Sequence, residues 1–248
     1  MRFEAFFLLI TLFISLPVMA QDESWKAFTL NELIEQHQQR ENPYLRFLDE
    51  SSMSMGLYVL KAGAQDGQSP HRLDEVYYIV EGKAVLTAGE HEIPVEQGSI
   101  VYVKAEVSHK FHSIEKDLKV LVVFPTIATD PLAPIQESYS LSMYEPDVIN
   151  RNSWSQILDV PSIELGYYTF RRQLARADTT EVYNRDIVIM VTKGSGTLKI
   201  GGAGTIGTAT KDIDLKPGSI VYLESSTAHS FESEKEGFGA LILYEKRN

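Results

Sequence analysis

The side chains best suited to chemistry lie between residues 63 and 113. There Ser69-Pro-His71-Arg-Leu-Asp-Glu75 runs into Val76-Tyr-Tyr-Ile-Val-Glu-Gly82, a β-type stretch expected to be closed by a turn glycine. Further along, Gly98-Ser-Ile-Val-Tyr-Val103 reads as another strand and leads to His109-Lys-Phe-His112. Side chains alternate faces along a strand, so His71 and Glu75, four apart, are expected to point the same way. A barrel would bring His109 beside them. Two imidazoles and one carboxylate form the donor set of a facial triad, which leaves positions open on a metal ion.

The elements that must position this set are short strands, and their spacing resembles the cupin family of jelly-roll β-barrels. The family's first motif is G-x5-H-x-H-x3,4-E-x6-G. Gly63, His71, Glu75 and Gly82 fall at its spacings, with Ser69 in place of the leading His. In the second motif, G-x5-P-x-G-x2-H-x3-N, Gly98 and His109 match, while Lys104, Glu106 and Ser113 replace the Pro, Gly and Asn. The resemblance implies one divalent transition metal (Fe, Mn, Zn or Ni) on His71, Glu75 and His109. Water, Gln68 or a substrate would fill the fourth place. It also implies a dioxygenase, isomerase or decarboxylase acting on a small polar or aromatic molecule, with Glu75 as ligand and proton shuttle. One fold hosts many chemistries. The alternative is a non-catalytic protein that binds a carbohydrate or other small molecule, its metal structural or absent. Pairing into a homodimer is the assembly that the resemblance suggests.

Residues 1–20 read as a secretion signal: Arg2, then an apolar run over residues 6–17, then Val18-Met-Ala20 at the cleavage point. That run is shorter than the ~20 apolar residues of a comfortable membrane span. The expected mature chain is exported to the periplasm, cleaved after Ala20, and not membrane-bound. The chain has no Cys, so it has no disulfide. The signal carries one Arg and one Glu, so the mature net charge stays at −11. No Lys/Arg cluster occurs, which argues against nucleic acid and anionic membranes as partners.

Along the chain, a short strand from Trp25 and a helix over residues 31–39, capped by Thr29 or Asn31, precede strands at 44–48 and 53–60. His37 falls on the apolar stripe of that helix and reads as a packing or surface residue. Residues 63–67 form a turn, 83–95 a hairpin around Ala88-Gly-Glu90, and 118–124 an apolar strand buried on both faces. The second half replays the first. Ser153-Trp154 echoes Ser24-Trp25, Leu165-Gly-Tyr-Tyr-Thr-Phe170 echoes Met55-Gly-Leu-Tyr-Val-Leu60, and Gly218-Ser-Ile-Val-Tyr-Leu223 echoes Gly98-Ser-Ile-Val-Tyr-Val103. Echoes roughly 110 to 130 residues apart indicate a duplicated domain rather than a solenoid. The expected fold is all-β: two tandem cupin barrels with a short helix before the first. The expected divisions are an N-terminal domain at 21–125, a linker or crossover at 126–150, and a C-terminal domain at 151–248.

The copies differ where chemistry would sit. With Gly194 placed on Gly82, Ser69 maps to Glu181, His71 to Tyr183 and Glu75 to Ile187, so only His229 keeps its ligand type. The second barrel is therefore expected to lack metal. Its work would be to cover the first barrel, bind a small molecule or build a dimer interface. Gln68, Ser69, Tyr77, Phe111 and His229 are candidate cavity-lining residues, with core packing the plain alternative for Tyr77 and Phe111. Asp74 is expected to be a solvated carboxylate, Arg72 to point outward, and His91 and His112 to lie on the surface.

Overall fold

The computed structural model describes residues 24–68, 70–126, 132–141, 153–170, 182–201, 211–232 and 237–246. The expected signal segment, Ser69 and Glu181 lie outside them. Among the described residues are sixteen strands and one helix. The first half carries β1 (Trp25–Thr29), α1 (Leu30–Gln38), β2 (Tyr44–Asp49), β3 (Met53–Leu60), β4 (Glu75–Ala88), β5 (His91–Glu96), β6 (Ser99–Val103) and β7 (His109–Pro125). The second carries β8 (Gln136–Ser140), which leads it as β1 leads the first, then β9 (Ser153–Val160), β10 (Ile163–Phe170), β11 (Ile187–Lys193), β12 (Gly196–Ile200), β13 (Lys211–Leu215), β14 (Ser219–Leu223), β15 (His229–Glu232) and β16 (Phe238–Glu245). Thr29 is the helix cap. Its hydroxyl accepts from the Glu32 N–H at 3.3 Å, and the Glu32 carboxylate accepts from the Thr29 N–H at 3.2 Å.

Gly82 does not close a turn. β4 runs through it, and register shifts on either side mark a bulge against β7. Gly82 has φ +105°, and a Cβ there would lie 2.5 Å from the Asp117 carbonyl oxygen. The bend lets one strand serve two sides of a barrel. Residues 75–78 pair with β6, residues 83–88 pair with β5, and β7 flanks both parts.

The two halves exchange strands. β1 pairs antiparallel with β14, Trp25 opposite Leu223, and so completes the second half's sheet. β8, inside the stretch read as a linker, pairs with β6, Val103 opposite Gln136. β6 and β14 are the repeated Gly-Ser-Ile-Val-Tyr strands, so each barrel takes its outer strand from the other half. This corrects the echo between Trp25 and Trp154. Trp154 lies in β9 and its ring covers Gly166, as Tyr44 in β2 covers Gly56. Tyr44 is the true counterpart of Trp154, and Trp25 belongs to an exchanged strand.

Alternation along the strands divides the apolar residues among three clusters. Tyr77, Ile79, Val101, Val120 and Val122 fill the first barrel. Ile187, Ile189, Val221 and Ala240 belong to the second. Between the barrels Val76, Ile100, Tyr102 and Val123 meet Val188, Ile220, Tyr222 and Leu243, and Leu33 of α1 joins them. β7 is buried on both faces over residues 120–123 for this reason.

Asp74 is not a solvated carboxylate. It lies in the loop before β4, where strand alternation does not apply, and is 1 % exposed at the seam between the barrels. It accepts from the Ala105 N–H at 2.9 Å and from the Ser162 hydroxyl of the second half at 2.6 Å. Its counterpart Asp186 accepts from the Ser225 N–H and the Tyr222 hydroxyl, both at 2.7 Å. The aspartate recurs in both halves because both need this buried anchor.

Candidate metal centre

Three elements of the first barrel deliver the three candidate ligands. His71 sits in the loop before β4, and its carbonyl accepts from the Glu106 N–H at 2.7 Å. Glu75 is the first residue of β4, opposite Val103 of β6. His109 opens β7 opposite Ala88. The strand argument for His71 and Glu75 therefore fails in its premise, since only Glu75 is on the strand. The loop nonetheless folds back and sets both on one point. One ligand atom from each of His71, Glu75 and His109 lies within 4.8 Å of the others. Two atoms on one ion at ~2.1 Å are at most about 4.2 Å apart, so a small adjustment would seat all three.

The hydrogen bonds prepare each donor. His109 Nδ1 lies 2.7 Å from the Val107 carbonyl, which fixes the proton there and leaves a lone pair on Nε2. That Nε2 is buried without a hydrogen bond, 3.2 Å from Glu75 Oε1. His71 Nδ1 contacts the same carboxylate oxygen. The hydrogen bond to Glu75 raises the His71 pKa above its ordinary 6.5, against the opposing pull of burial. Glu75 Oε2 accepts from the Tyr77 hydroxyl at 2.5 Å. Burial, and then the nearby Glu75 charge, push the Tyr77 pKa well above 10.0, so this phenol remains a donor. Two imidazole nitrogens and one carboxylate oxygen, one nitrogen otherwise orphaned, fit a divalent ion.

A second layer holds this geometry, and its key residue, Asp66, was not singled out in the sequence. Asp66 is buried and accepts from the Tyr58 hydroxyl at 2.6 Å, the Gln68 N–H at 3.0 Å and the Phe111 N–H at 2.8 Å. The Gln68 amide donates to Asp66 at 2.8 Å and turns its oxygen toward the Tyr77 hydroxyl, 3.4 Å away. The only sequence signal was a carboxylate two residues before the expected ligand region, in what read as a turn. Tyr77 and Phe111 follow strand parity from Glu75 and His109, and their rings pack at 5.5 Å in the interior. His112 and His91 are exposed, and His112 meets Glu92 at 2.8 Å. His37 Nε2 lies 3.0 Å from the Pro43 carbonyl.

A cleft of about 450 Å³ opens over His71 and Glu75. Tyr44, Leu73, Val122 and Phe124 wall it, with Arg46 and Arg72 also in its lining. Arg72 is exposed but borders this mouth rather than pointing away from it, because it too precedes the strand. A larger open groove of about 900 Å³ along residues 108–115 does not reach His71 or Glu75.

The second barrel keeps the frame without the ligands. Ile187 stands opposite Leu223 as Glu75 stands opposite Val103. Tyr183 lies 5.5 Å from the rings of both His229 and Tyr244, as His71 lies 5.3 Å from His109 and Phe124. His229 is buried, with Nδ1 2.9 Å from the Thr227 carbonyl, and is not part of the first barrel's cluster. Among the described residues, His71, Glu75 and His109 form the one group of this kind.

Comparison with known proteins agrees with this architecture. The Cupin domain family model matches residues 56–124, the span that holds all three candidate ligands. An uncharacterised protein of Streptomyces coelicolor is 52 % identical over 99 residues, 40 % of this chain and 94 % of that protein. Among solved structures, a cupin 2 conserved barrel domain protein from Leptotrichia buccalis aligns with TM-score 0.67 at 16 % identity, over 89 % of this chain and 96 % of the other. A salicylate 1,2-dioxygenase from Pseudaminobacter salicylatoxidans aligns with TM-score 0.72 at 10 % identity, over 95 % of this chain and 88 % of the other. Likeness at such identities is a likeness of fold. Motif, strand order and doubled barrel converge: the chain belongs to the cupin superfamily, as a two-barrel member with a degenerate second site.

Proposed function

We propose that the first barrel is an exported, mononuclear metal centre in which His71, Glu75 and His109 hold one divalent transition ion beside a small-molecule cleft, and that it is an enzyme. The observation that carries this reading is the buried His109 Nε2, which makes no hydrogen bond, has its tautomer set by the Val107 carbonyl and lies 3.2 Å from the Glu75 oxygen that also meets His71. A bound ion of this kind supplies Lewis acidity, or dioxygen activation if it is iron. The chain's own residues supply the rest. Tyr77 holds Glu75 Oε2 and leaves Oε1 to face the imidazoles. Tyr44, Val122 and Phe124 give the cleft an apolar wall that limits water around a bound substrate. Dioxygenase, isomerase and decarboxylase chemistries all suit such a centre, and a structural relative has been crystallised with gentisate. Residues 6–20 support export to the periplasm.

The test is metal titration followed by elemental analysis, with about one equivalent per chain expected. No uptake of Fe, Mn, Zn or Ni would overturn the metal reading and leave a metal-free binding protein. The titration should depend on pH in a defined direction. In metal-free protein the contact with Glu75 favours protonated His71, a contribution complete below 6.5 and lost as pH rises through the raised pKa. An ion must displace that proton, so affinity should strengthen as pH rises through the same window, with proton release detectable by calorimetry in buffers of different ionisation enthalpy.

Replacing Tyr77 with Phe keeps the packing and removes the donor to Glu75. Metal affinity is expected to fall roughly 10-fold, the lower end for an outer-shell partner. Competition with a chelator measures it, and an unchanged affinity would show that Glu75 needs no such orientation.

A further inference from the structure

The duplicated barrel provides an internal comparison for what the cleft accepts. In the second barrel the counterpart of Ser54 is Glu164, since Ser54 pairs with Phe124 as Glu164 pairs with Tyr244. The counterpart of Leu73 is Arg185, two residues before Ile187 as Leu73 is two before Glu75. Arg185 lies over Tyr244, its guanidinium carbon 4.1 Å from the ring centroid, and forms an ion pair with Glu164 at 2.8 Å. The second barrel thus fills its own mouth with a cation, an aromatic wall and a carboxylate. The first barrel keeps the aromatic wall, Phe124, but has the short Ser54 and the neutral Leu73 beside it.

The charges at the first mouth are also particular to it. Arg46 stands opposite Gly56 as Gln156 stands opposite Gly166, and Arg72 corresponds to Asn184. Both arginines of the metal-type barrel are therefore uncharged amides in the degenerate one. Arg72 has no acidic or hydrogen-bonding partner among the described residues, while Arg46 meets Asp49 on the surface at 3.2 Å and also lies beside the Tyr44 hydroxyl, whose pKa it pulls down against burial. The Tyr44 hydroxyl is buried in the same lining without a hydrogen bond. Burial pushes its pKa up to about 12, so it too is a donor. Glu75 is the one carboxylate of the lining, and it is already engaged by His71 and Tyr77. The exposed cation of Arg72 is thus unspent at this mouth, while the one carboxylate of the lining is already engaged.

We propose that this cleft takes a small carboxylate, its anionic group held by Arg72 with help from Arg46 and the Tyr44 hydroxyl, and its compact apolar body lying on Phe124. The ligand supplies the carboxylate that Glu164 supplies in the second barrel. This deepens the small-molecule reading of the same site, and the arginines act whether or not the metal is bound. A guanidinium binds a carboxylate through charge-assisted, paired N–H donors that a neutral isostere cannot use. The second barrel, closed by its own ion pair, takes no such ligand.

The experiment is calorimetric titration of the full chain, metal-free and metal-loaded, with benzoate and with benzyl alcohol as its neutral analogue. One benzoate per chain is expected, bound at least about 10-fold tighter than benzyl alcohol in both forms. Arg72→Ala should weaken benzoate roughly 10- to 100-fold, Arg46→Ala less, and neither should change metal stoichiometry. The double substitution Ser54→Glu with Leu73→Arg installs the second barrel's pair and should abolish benzoate binding while the metal remains. Benzoate no tighter than benzyl alcohol, failure of both to bind at tens of millimolar, or an Arg72→Ala variant equal to wild type would each overturn the proposal. A protein that takes up no metal on titration yet shows Arg72-dependent benzoate binding would refute the metal reading alone.

Discussion

A His109→Ala variant is expected to lose stoichiometric metal, with affinity reduced by roughly 100-fold or more. Two ligands would remain, and a stable protein site for a divalent transition ion normally needs at least three. His109 is the most pre-set of the donors. It is 2 % exposed and its Nδ1 is tied to the Val107 carbonyl. The duplicated barrel supplies the control. His229 opens its strand in the same way, is 5 % exposed and has its Nδ1 at the Thr227 carbonyl, but Ile187 stands where the carboxylate would be. His229→Ala should therefore loosen its barrel to a similar degree and leave metal content untouched. Elemental analysis of the two variants after equal metal loading separates ligation from packing. Full occupancy in His109→Ala, or loss in His229→Ala, would place the metal elsewhere.

The cluster of His71, Glu75 and His109 was legible because it is a spacing, and spacing survives in one dimension. Gly63, His71, Glu75, Gly82, Gly98 and His109 keep their intervals whatever lies between. Tyr77 and Phe111 were legible for another reason: each lies two residues along a strand from a member of that cluster, where alternation holds. The same rule misplaced Asp74 and Arg72, because the strand starts at Glu75 and the preceding loop obeys no parity. Gly82 looked like a turn because a positive φ serves a turn and a bulge equally, and only the partner strand distinguishes them. The exchange of β1 and β8 was hidden for a related reason. β6 and β14 share the sequence Ser-Ile-Val-Tyr, so an incoming strand reads as a partner for either. Asp66 was the largest omission. Its importance rests on four donors that converge from residues 58, 68 and 111, and no local pattern records such convergence.

Asp66 also carries the second large expected effect. Every contact to its carboxylate is a donor: the Tyr58 hydroxyl, the backbone and side-chain N–H groups of Gln68, and the Phe111 N–H. Burial and the bond to Asp66 push the Tyr58 pKa far up, so that hydroxyl does not turn acceptor near neutrality. An asparagine at 66 matches the shape but turns one oxygen into an NH₂ group, which must then face donors. Asp66→Asn is therefore expected to destabilise the protein by about 2–4 kcal/mol, no better than Asp66→Ala, since each buried donor left unmet costs about 1–3 kcal/mol. For a chain of this length that lowers the melting temperature by on the order of 10 °C. Tyr58→Phe removes a single donor and should cost only about 1 kcal/mol. The same substitutions probe the route from Asp66 through Gln68 and Tyr77 to Glu75. Freed from Asp66, the Gln68 amide no longer presents its oxygen to Tyr77, so metal affinity in Asp66→Asn should fall about as far as in Tyr77→Phe, while Tyr58→Phe keeps it. Thermal denaturation and chelator competition on the three variants test both steps. If Asp66→Asn matches wild type in stability, the four donors do not hold the loop. If it is destabilised but binds metal normally, the loop is held and Glu75 is oriented without it.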